Sequence, residues 1–149
     1  MAPPRDRDQR RIDALGRLES DIDVWVATSD ADGSPHLVPL SLDWDGVQIV
    51  ICAGRESLTI QNLMRSSIAR LGIGPTRDVV MIDAVVEESV GADEVSTAMA
   101  EHYARRTGWD PRREAGGYVY VCLRPRRIQA WRESNEIAGR TLMRNGEWL

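Results

Sequence analysis

The sequence contains no lysine and no phenylalanine, and its 149 residues include only two cysteines and two histidines. The absence of lysine excludes every mechanism that forms a Schiff base on a lysine amine. All 19 basic residues are arginines, so an anionic ligand must be held by arginine, hydroxyl or backbone N–H groups. Codon usage in a GC-rich genome is the simpler explanation of this bias, which by itself identifies no site.

The few cysteines and histidines form no metal-ligand pattern. Cys52 and Cys122 lie inside the apolar runs "VQIVICAG" and "YVYVCLRP", a position typical of buried thiols. His36 and His102 are scattered along the chain with them, and no zinc-ligand spacing results. We expect His102, within the helix-like segment "STAMAEHYARR", to lie on the surface or half-buried.

Charge and hydropathy limit the partners. The formal net charge is -4 and no basic stripe is present, which argues against a nucleic-acid partner. No apolar run approaches the roughly 20 residues that span a bilayer. The first residues, "MAPPRDRDQRR", contain no apolar signal-peptide core. We therefore expect a cytoplasmic protein with no membrane partner.

Hydrophobic periodicity predicts a mainly β chain with two or three helices and about six strands in one domain over residues 1–149. The predicted strands are residues 21–30, 36–44, 47–53, 68–74 and 79–88, and a long strand from residue 116 that Pro125 interrupts. The predicted helices are an N-terminal arm within residues 1–20, a short helix at 57–67 and the clearest helix, at 91–112. Short turns between the strands, with Asp45-Gly46 as a two-residue hairpin, favour an antiparallel barrel.

Proline at position 39 interrupts the second predicted strand. Proline cannot donate a ladder hydrogen bond, so its presence predicts an edge strand or a bulge. The backbone groups of Val38, Leu40 and Ser41 would then be unpaired, and a planar ring with polar edges could bind them. An edge strand that is protected against aggregation is the alternative interpretation.

The short helix at 57–67 begins at a corner that suits an anion such as phosphate. Ser57 is a good N-cap, the helix N-terminus offers free N–H groups, and Ser57 and Thr59 add hydroxyls. A capped helix that only plugs the barrel is the alternative.

The strand at 79–88 is apolar on both faces, which indicates that a second element or a second subunit covers one of them.

The acidic residues suggest structural roles. We expect Asp43 and Asp45 to be turn residues, and Glu87 and Glu88 to lie at a solvated strand end. Asp83 interrupts an apolar face, where a satisfied carboxylate or an exposed strand end is a better interpretation than a catalytic acid.

Four motifs in order, "DGSPHLVPLSLDWDG", "SLTIQNL", "ARLGIG" and "TRDVVMIDAVVE", together with the tail "RPRRIQAWRESNEIAGR", resemble the pyridoxamine 5'-phosphate oxidase-like family. The resemblance implies a six-stranded antiparallel split β-barrel of the FMN-binding type, flanked by two or three helices. It also implies a homodimer with the cofactor at the subunit interface. The cofactor is FMN or, in an actinobacterial branch, the deazaflavin coenzyme F-420.

The resemblance places the ring against the second strand, the phosphate at the start of the short helix, a turn of the partner subunit nearby, and two C-terminal residues over the site. The implied cofactor-binding residues are His36, Val38, Pro39, Leu40, Ser41, Cys52, Ala53, Ser57, Leu58, Thr59, Asn62, Arg77, Asp78, Trp131 and Arg140.

The sequence departs from the family at one important position. Thr59 stands where many members have a lysine that pairs with the phosphate, so charge would have to come from Arg55, Arg77 or an arginine of a second subunit. The arginines that bind pyridoxal phosphate as substrate are not matched, and vitamin B6 oxidation is therefore not expected.

The resemblance implies an FMN- or deazaflavin-dependent oxidoreductase that transfers hydride to a small planar substrate. The cofactor supplies the hydride chemistry. If a residue acts as acid or base, His36 and Arg77 are the candidates. The alternatives are a non-catalytic flavin-binding or carrier protein and a structural dimer whose cofactor site has decayed.

Overall fold

One antiparallel sheet of nine strands forms the framework of the protein, and the computed structural model describes residues 1–149. The helices are α1 (Arg7–Ser20), α2 (Leu58–Ser66) and α3 (Thr97–Thr107), and short 3-10 helices lie at Pro111–Arg113 and Ser134–Glu136. The strands are β1 (Asp23–Ser29), β2 (Pro35–Ser41), β3 (Asp43–Trp44), β4 (Ile49–Gly54), β5 (Ile68–Ile73), β6 (Val79–Gly91), β7 (Tyr118–Trp131), β8 (Thr141–Arg144) and β9 (Glu147–Trp148). None of the helices combines the length and apolar character that a membrane span requires.

The sheet curls into a barrel that stays open on one side. The strand order is β2-β1-β5-β6-β7-β4-β3, and β8 and β9 extend from β7. β2 contacts β4 although no ladder joins them. The prediction of a mainly β, antiparallel split barrel with three helices is confirmed. The strand count is nine rather than six, because β3, β8 and β9 are short additions.

Two apolar clusters hold the barrel together. The larger cluster fills the interior and includes Val26, Leu71 and Ile82. The smaller cluster lies on the outside of β4 and β7 beneath α3, and it contains Tyr103 and both cysteines. The prediction that Cys52 and Cys122 are buried is confirmed.

Pro39 lies on the edge strand β2, which pairs only with β1 and shows no bulge. The N–H of Leu42, just beyond β2, donates to the carbonyl of Ile22 at 2.8 Å. Since backbone groups alternate in direction, the even-numbered residues bond to β1, and Pro39 and Ser41 face the open edge. The missing N–H of Pro39 therefore costs no ladder bond. The expectation that Val38 and Leu40 have unpaired backbone groups was wrong.

Several predicted boundaries differ from the structure. Pro125 does not interrupt β7: Arg126 is an extra residue in the ladder with β6, and this bulge accommodates the proline.

The predicted strand at 36–44 is two strands, and the loop between β3 and β4 has four residues rather than two. The Asp45 carboxylate organises this loop by accepting from the N–H groups of Val47 and Gln48 at 2.8 and 2.6 Å.

The helix ends follow their capping residues. Ser57 caps α2 and accepts a hydrogen bond from the N–H of Ile60, as predicted. Gly108 ends α3 with a φ of 76°. However, α3 begins later than predicted, after the cap Ser96, because pairing with β7 extends β6 to Gly91.

The N-terminal arm is fixed to the C-terminal region by a buried ion pair. Arg5 binds the Glu136 carboxylate through two nitrogens, at 3.0 and 2.7 Å, and the Arg10 guanidinium donates to the Glu136 carbonyl at 2.9 Å. The hydrogen bond from Arg5, opposed by desolvation, lowers the pKa of Glu136 to about 2. Ala14 and Leu18 of α1 pack in the barrel core.

Candidate functional site

A groove of about 700 Å³ lies where the barrel is open, between β2 on one side and the end of β4 and the start of α2 on the other. Most of the residues predicted from the resemblance line it: His36, Val38, Pro39, Leu40, Ser41, Cys52, Ala53, Ser57, Leu58 and Thr59. Its size is within the range of about 300–1,000 Å³ that small-molecule and cofactor pockets occupy.

The start of α2 presents two unpaired donors to the groove. The N–H groups of Leu58 and Thr59 donate no hydrogen bond. The Ser57 hydroxyl accepts a hydrogen bond from the N–H of Ile60 at 3.3 Å and still has its own proton to donate. Because Leu58 and Thr59 line the groove, both free donors and the positive end of the helix dipole lie beside it.

Thr59 and Asn62 point inward and are engaged with other side chains. Thr59 is 2% exposed, and its Oγ1 lies 3.1 Å from Nε2 of His36. The Asn62 amide donates to the Thr28 hydroxyl at 3.0 Å and does not line the groove. Asn62 therefore fixes α2 against β1 beneath the groove.

No arginine lines the groove. Arg55, the nearest in sequence, extends the other way into a second cavity of about 440 Å³. A Cβ at Gly91 would lie 2.9 Å from the Arg55 guanidinium, so this glycine provides the space in which Arg55 lies.

Besides Asn62, four predicted residues lie outside the groove of a single chain: Arg77, Asp78, Trp131 and Arg140. Arg77 pairs with Glu133 at 3.0 Å. Burial raises the pKa of Asp78, but hydrogen bonds from Arg17 and Arg132 outweigh it and the net pKa is lowered. The guanidinium of Arg140 lies 5.7 Å from the ring centre of Trp131.

Two aromatic residues that were not predicted form one wall of the groove. Trp109 follows Gly108 at the end of α3, and Tyr118 begins β7. The indole N–H of Trp109 donates to Glu114 at 3.2 Å, and the Thr107 hydroxyl bonds its backbone. The glycine stop signal at Gly108 marks this position in the sequence, but nothing in the sequence shows that α3 packs beside the groove. Asp23 and Gly54 also line it unpredicted.

The Cys52 thiol and the Asp23 carboxylate are two further ionisable groups that line the groove. Burial raises the pKa of Cys52 to about 12, so the thiol stays neutral and contributes shape rather than a nucleophile. Asp23 is the only carboxylate that lines the groove.

Two acidic residues outside the groove, Asp43 and Asp83, pair with basic side chains. Asp43 is not a turn residue: it is 2% exposed and its carboxylate lies 2.6 Å from Nδ1 of His102. Asp43 serves as the partner of α3, because its strand packs directly under that helix. Asp83 pairs with Arg70 at 2.6 Å on the outer face, which makes it a satisfied carboxylate.

The sequence model of the pyridoxamine 5'-phosphate oxidase family matches residues 15–132, most of the chain, and the protein belongs to this family. Curated protein sequences gave no match.

Solved structures share the fold at low sequence identity. An F420 reductase has a TM-score of 0.65 and 17% identity over 76% of this chain and 93% of its own. A Clostridium acetobutylicum protein of the pyridoxinephosphate oxidase family, related to general stress protein 26 of B. subtilis, has a TM-score of 0.61 and 17% identity over 87% and 92%. A pyridoxamine 5'-phosphate oxidase-related, FMN binding protein from Nostoc punctiforme has a TM-score of 0.55 and 14% identity over 87% and 84%.

Proposed function

We propose that the groove binds the tricyclic ring of FMN or of the deazaflavin coenzyme F-420, and that the protein is an oxidoreductase acting on a small planar substrate. The observation that carries this proposal is the coincidence of the groove with the open edge of β2 and the free N–H groups at the start of α2. Family membership and the F420 reductase and FMN binding neighbours support the choice of cofactors.

The residues present fit the ring. Val38 and Leu40 supply an apolar surface, and Ser41 presents backbone groups to the open edge. The pyrimidine-like end of a flavin carries both donors and acceptors, which suits such an edge. When bound, the cofactor supplies the hydride transfer, and the protein orients the ring and limits the access of water.

The phosphate end fits less completely, because it offers neutral donors and no arginine. The N–H groups of Leu58 and Thr59 suit a phosphate oxygen. In the proposed dimer, the turn that carries Arg77 and Asp78 of a second copy approaches this end, Arg77 contributes positive charge, and Trp131 and Arg140 close over it.

The homodimer is part of the proposal, with the outer face of β1, β5 and β6 as its interface. This face exposes Trp25 and Ile68, at 53% and 59%, and Met81 and Val85 are half-buried on it. Such a set of large apolar side chains on one sheet face is typical of a protein interface.

The test is a titration of purified protein with FMN and with F-420, followed by absorbance and equilibrium dialysis. We expect Ser41→Trp to abolish binding by filling the groove, and Val47→Trp, in an exposed loop, to leave it unchanged. A bound flavin that accepts no hydride from reduced nicotinamide or exchanges none with reduced F-420 would indicate a carrier. Failure to bind either cofactor would indicate a decayed site and would contradict the proposal.

A further inference from the structure

We propose that His36, held by Thr59, supplies the positive charge that recognises the cofactor's phosphate, so that phosphate binding is coupled to proton uptake by this imidazole. The inference rests on the proposed function and concerns the end of the groove at which the lining of a single chain offers the phosphate no arginine.

Cationic side chains are scarce around the groove. The chain has no lysine, and the groove has no arginine among its lining residues. His36 is therefore the only lining side chain that becomes a cation on protonation.

His36 lies beside Thr59 at the start of α2. Nε2 of His36 lies 3.1 Å from Oγ1 of Thr59, across the space between β2 and α2. Thr59 belongs to the first turn of α2, where its own N–H and that of Leu58 are unpaired. An imidazole, a hydroxyl and two backbone donors thus converge on one end of the groove.

The direction of the hydrogen bond between His36 and Thr59 depends on where the imidazole is protonated. A neutral imidazole whose Nε2 carries no proton accepts from the Thr59 hydroxyl, which then has no proton to offer a ligand. A protonated imidazole must donate to Thr59 Oγ1, and the hydroxyl proton is released to bind a phosphate oxygen. Protonation of the tautomer that carries its proton on Nδ1 therefore adds a charge and a donor together, whereas the tautomer that carries it on Nε2 already donates to Thr59 and gains the charge alone. The bound anion in turn favours the protonated ring.

Other ionisable groups surround this pair. Asp23, Cys52 and Tyr118 line the same groove from β1, β4 and β7. Arg65 of α2 is exposed and donates to the carbonyl of Ser29 at 2.5 Å, at the end of β1. A pH effect must therefore be assigned to His36 by substitution and by comparison of ligands.

The experiment measures dissociation constants of FMN and of riboflavin, which lacks the phosphate, at pH 8 and pH 6.5 by flavin fluorescence. We expect FMN affinity to rise about fivefold on acidification in the native protein, and riboflavin affinity to stay constant. FMN binding in weak buffer near pH 7 should take up a fraction of a proton. His36→Gln, which keeps a hydrogen bond to Thr59 without charge, should remove both effects. His102→Gln replaces the other histidine of the chain, outside the groove, and should retain them.

The outcomes separate this inference from the function on which it rests. Equal pH dependence in the native protein and His36→Gln, or a shared response of FMN and riboflavin, overturns the role of His36 and leaves the flavin site intact. Absence of binding by either flavin and by F-420 overturns both. A melting-temperature measurement on each variant verifies that the protein is folded.

Discussion

Trp109 and Tyr118 meet edge to face, with their ring centres 5.2 Å apart, where the end of α3 reaches the groove. Tyr103 also contacts Trp109, with ring centres 6.2 Å apart, so the indole packs against two tyrosines. Because the N–H of the indole is also bonded, Trp109 is a preorganised wall that a planar ligand meets without ordering it first.

We predict that Trp109→Ala weakens flavin binding about tenfold, because aromatic contacts contribute about 0.5–1.5 kcal/mol beyond the area they bury. Trp109→Phe should retain most of the affinity but lose part of the tryptophan fluorescence quenching that we expect flavin binding to produce in the native protein. Trp148→Phe, outside the groove, is the control for quenching. Unchanged affinity in Trp109→Ala would remove this wall from the site.

Replacing Thr59 by lysine places the missing charge at the start of α2. We expect Thr59→Lys to raise FMN affinity by about tenfold, with no gain for riboflavin, because a phosphate gains a charge-assisted bond. The measurement is a pair of binding titrations at pH 8, and Gln61→Lys on the exposed side of α2 is the control. If the affinity for both FMN and F-420 is unchanged, the phosphate binds elsewhere.

The buried carboxylate of Asp43 should be important for stability. It lies 2.6 Å from His102 and 3.8 Å from Arg106, both on α3, so Asp43→Ala leaves a largely buried Arg106 without its carboxylate. We expect the free energy of unfolding to fall by about 3–5 kcal/mol in chemical denaturation. Glu101→Ala, on the exposed side of α3, should change it by less than about 0.5 kcal/mol. A loss as small as that of the control would contradict the structural role of Asp43.

Glu136 should make the protein sensitive to acid. Its pKa is lowered from 4.5 to about 2, so its contribution to stability is complete above pH 4.5 and is lost as pH falls through 2. Over that interval the unfolding free energy should decrease by up to about 3 kcal/mol, less what solvent screening removes. Glu136→Gln should flatten this part of the pH profile and lower stability at neutral pH. Equal slopes below pH 4.5 for both proteins would disprove the assignment.

The outer sheet face should mediate the proposed homodimer. Trp25→Glu together with Ile68→Glu places charges at two of its most exposed apolar positions. We expect the dimer dissociation constant to rise at least about tenfold, because isolated charges are expensive to bury. Light scattering across a concentration series measures the change, and Ile12→Glu on α1 is the exposed control. A native protein that is monomeric at all concentrations would contradict the homodimer itself.

The sequence predicted the parts of the fold that depend on local chemistry. Caps and stops such as Ser57 and Gly108, and the edge position of Pro39, follow from properties of single residues. The errors arose where distant segments pair: the bulge at Arg126 absorbs Pro125, and the ladder with β7 carries β6 to Gly91. Asp43 was misjudged for the same reason, because its partner His102 lies far away in sequence.

The groove was predictable in part. The β2 and α2 residues follow from motif order, whereas the aromatic wall depends on how α3 packs on the sheet. No local pattern at Trp109 contains that information. The hydrogen bond between His36 and Thr59 likewise appears only once β2 and α2 are placed side by side.

The pairing of β4 with β7 has a consequence for synthesis on the ribosome. β4 supplies one side of the groove. Apart from its short hairpin ladder with β3, its partner is the distant β7, with Ile49 opposite Leu123. The nascent chain must therefore extend well past α3 before β4 is secured, and such long-range contacts form slowly. Binding of the proposed cofactor should consequently follow the synthesis of most of the polypeptide, rather than assist its early folding.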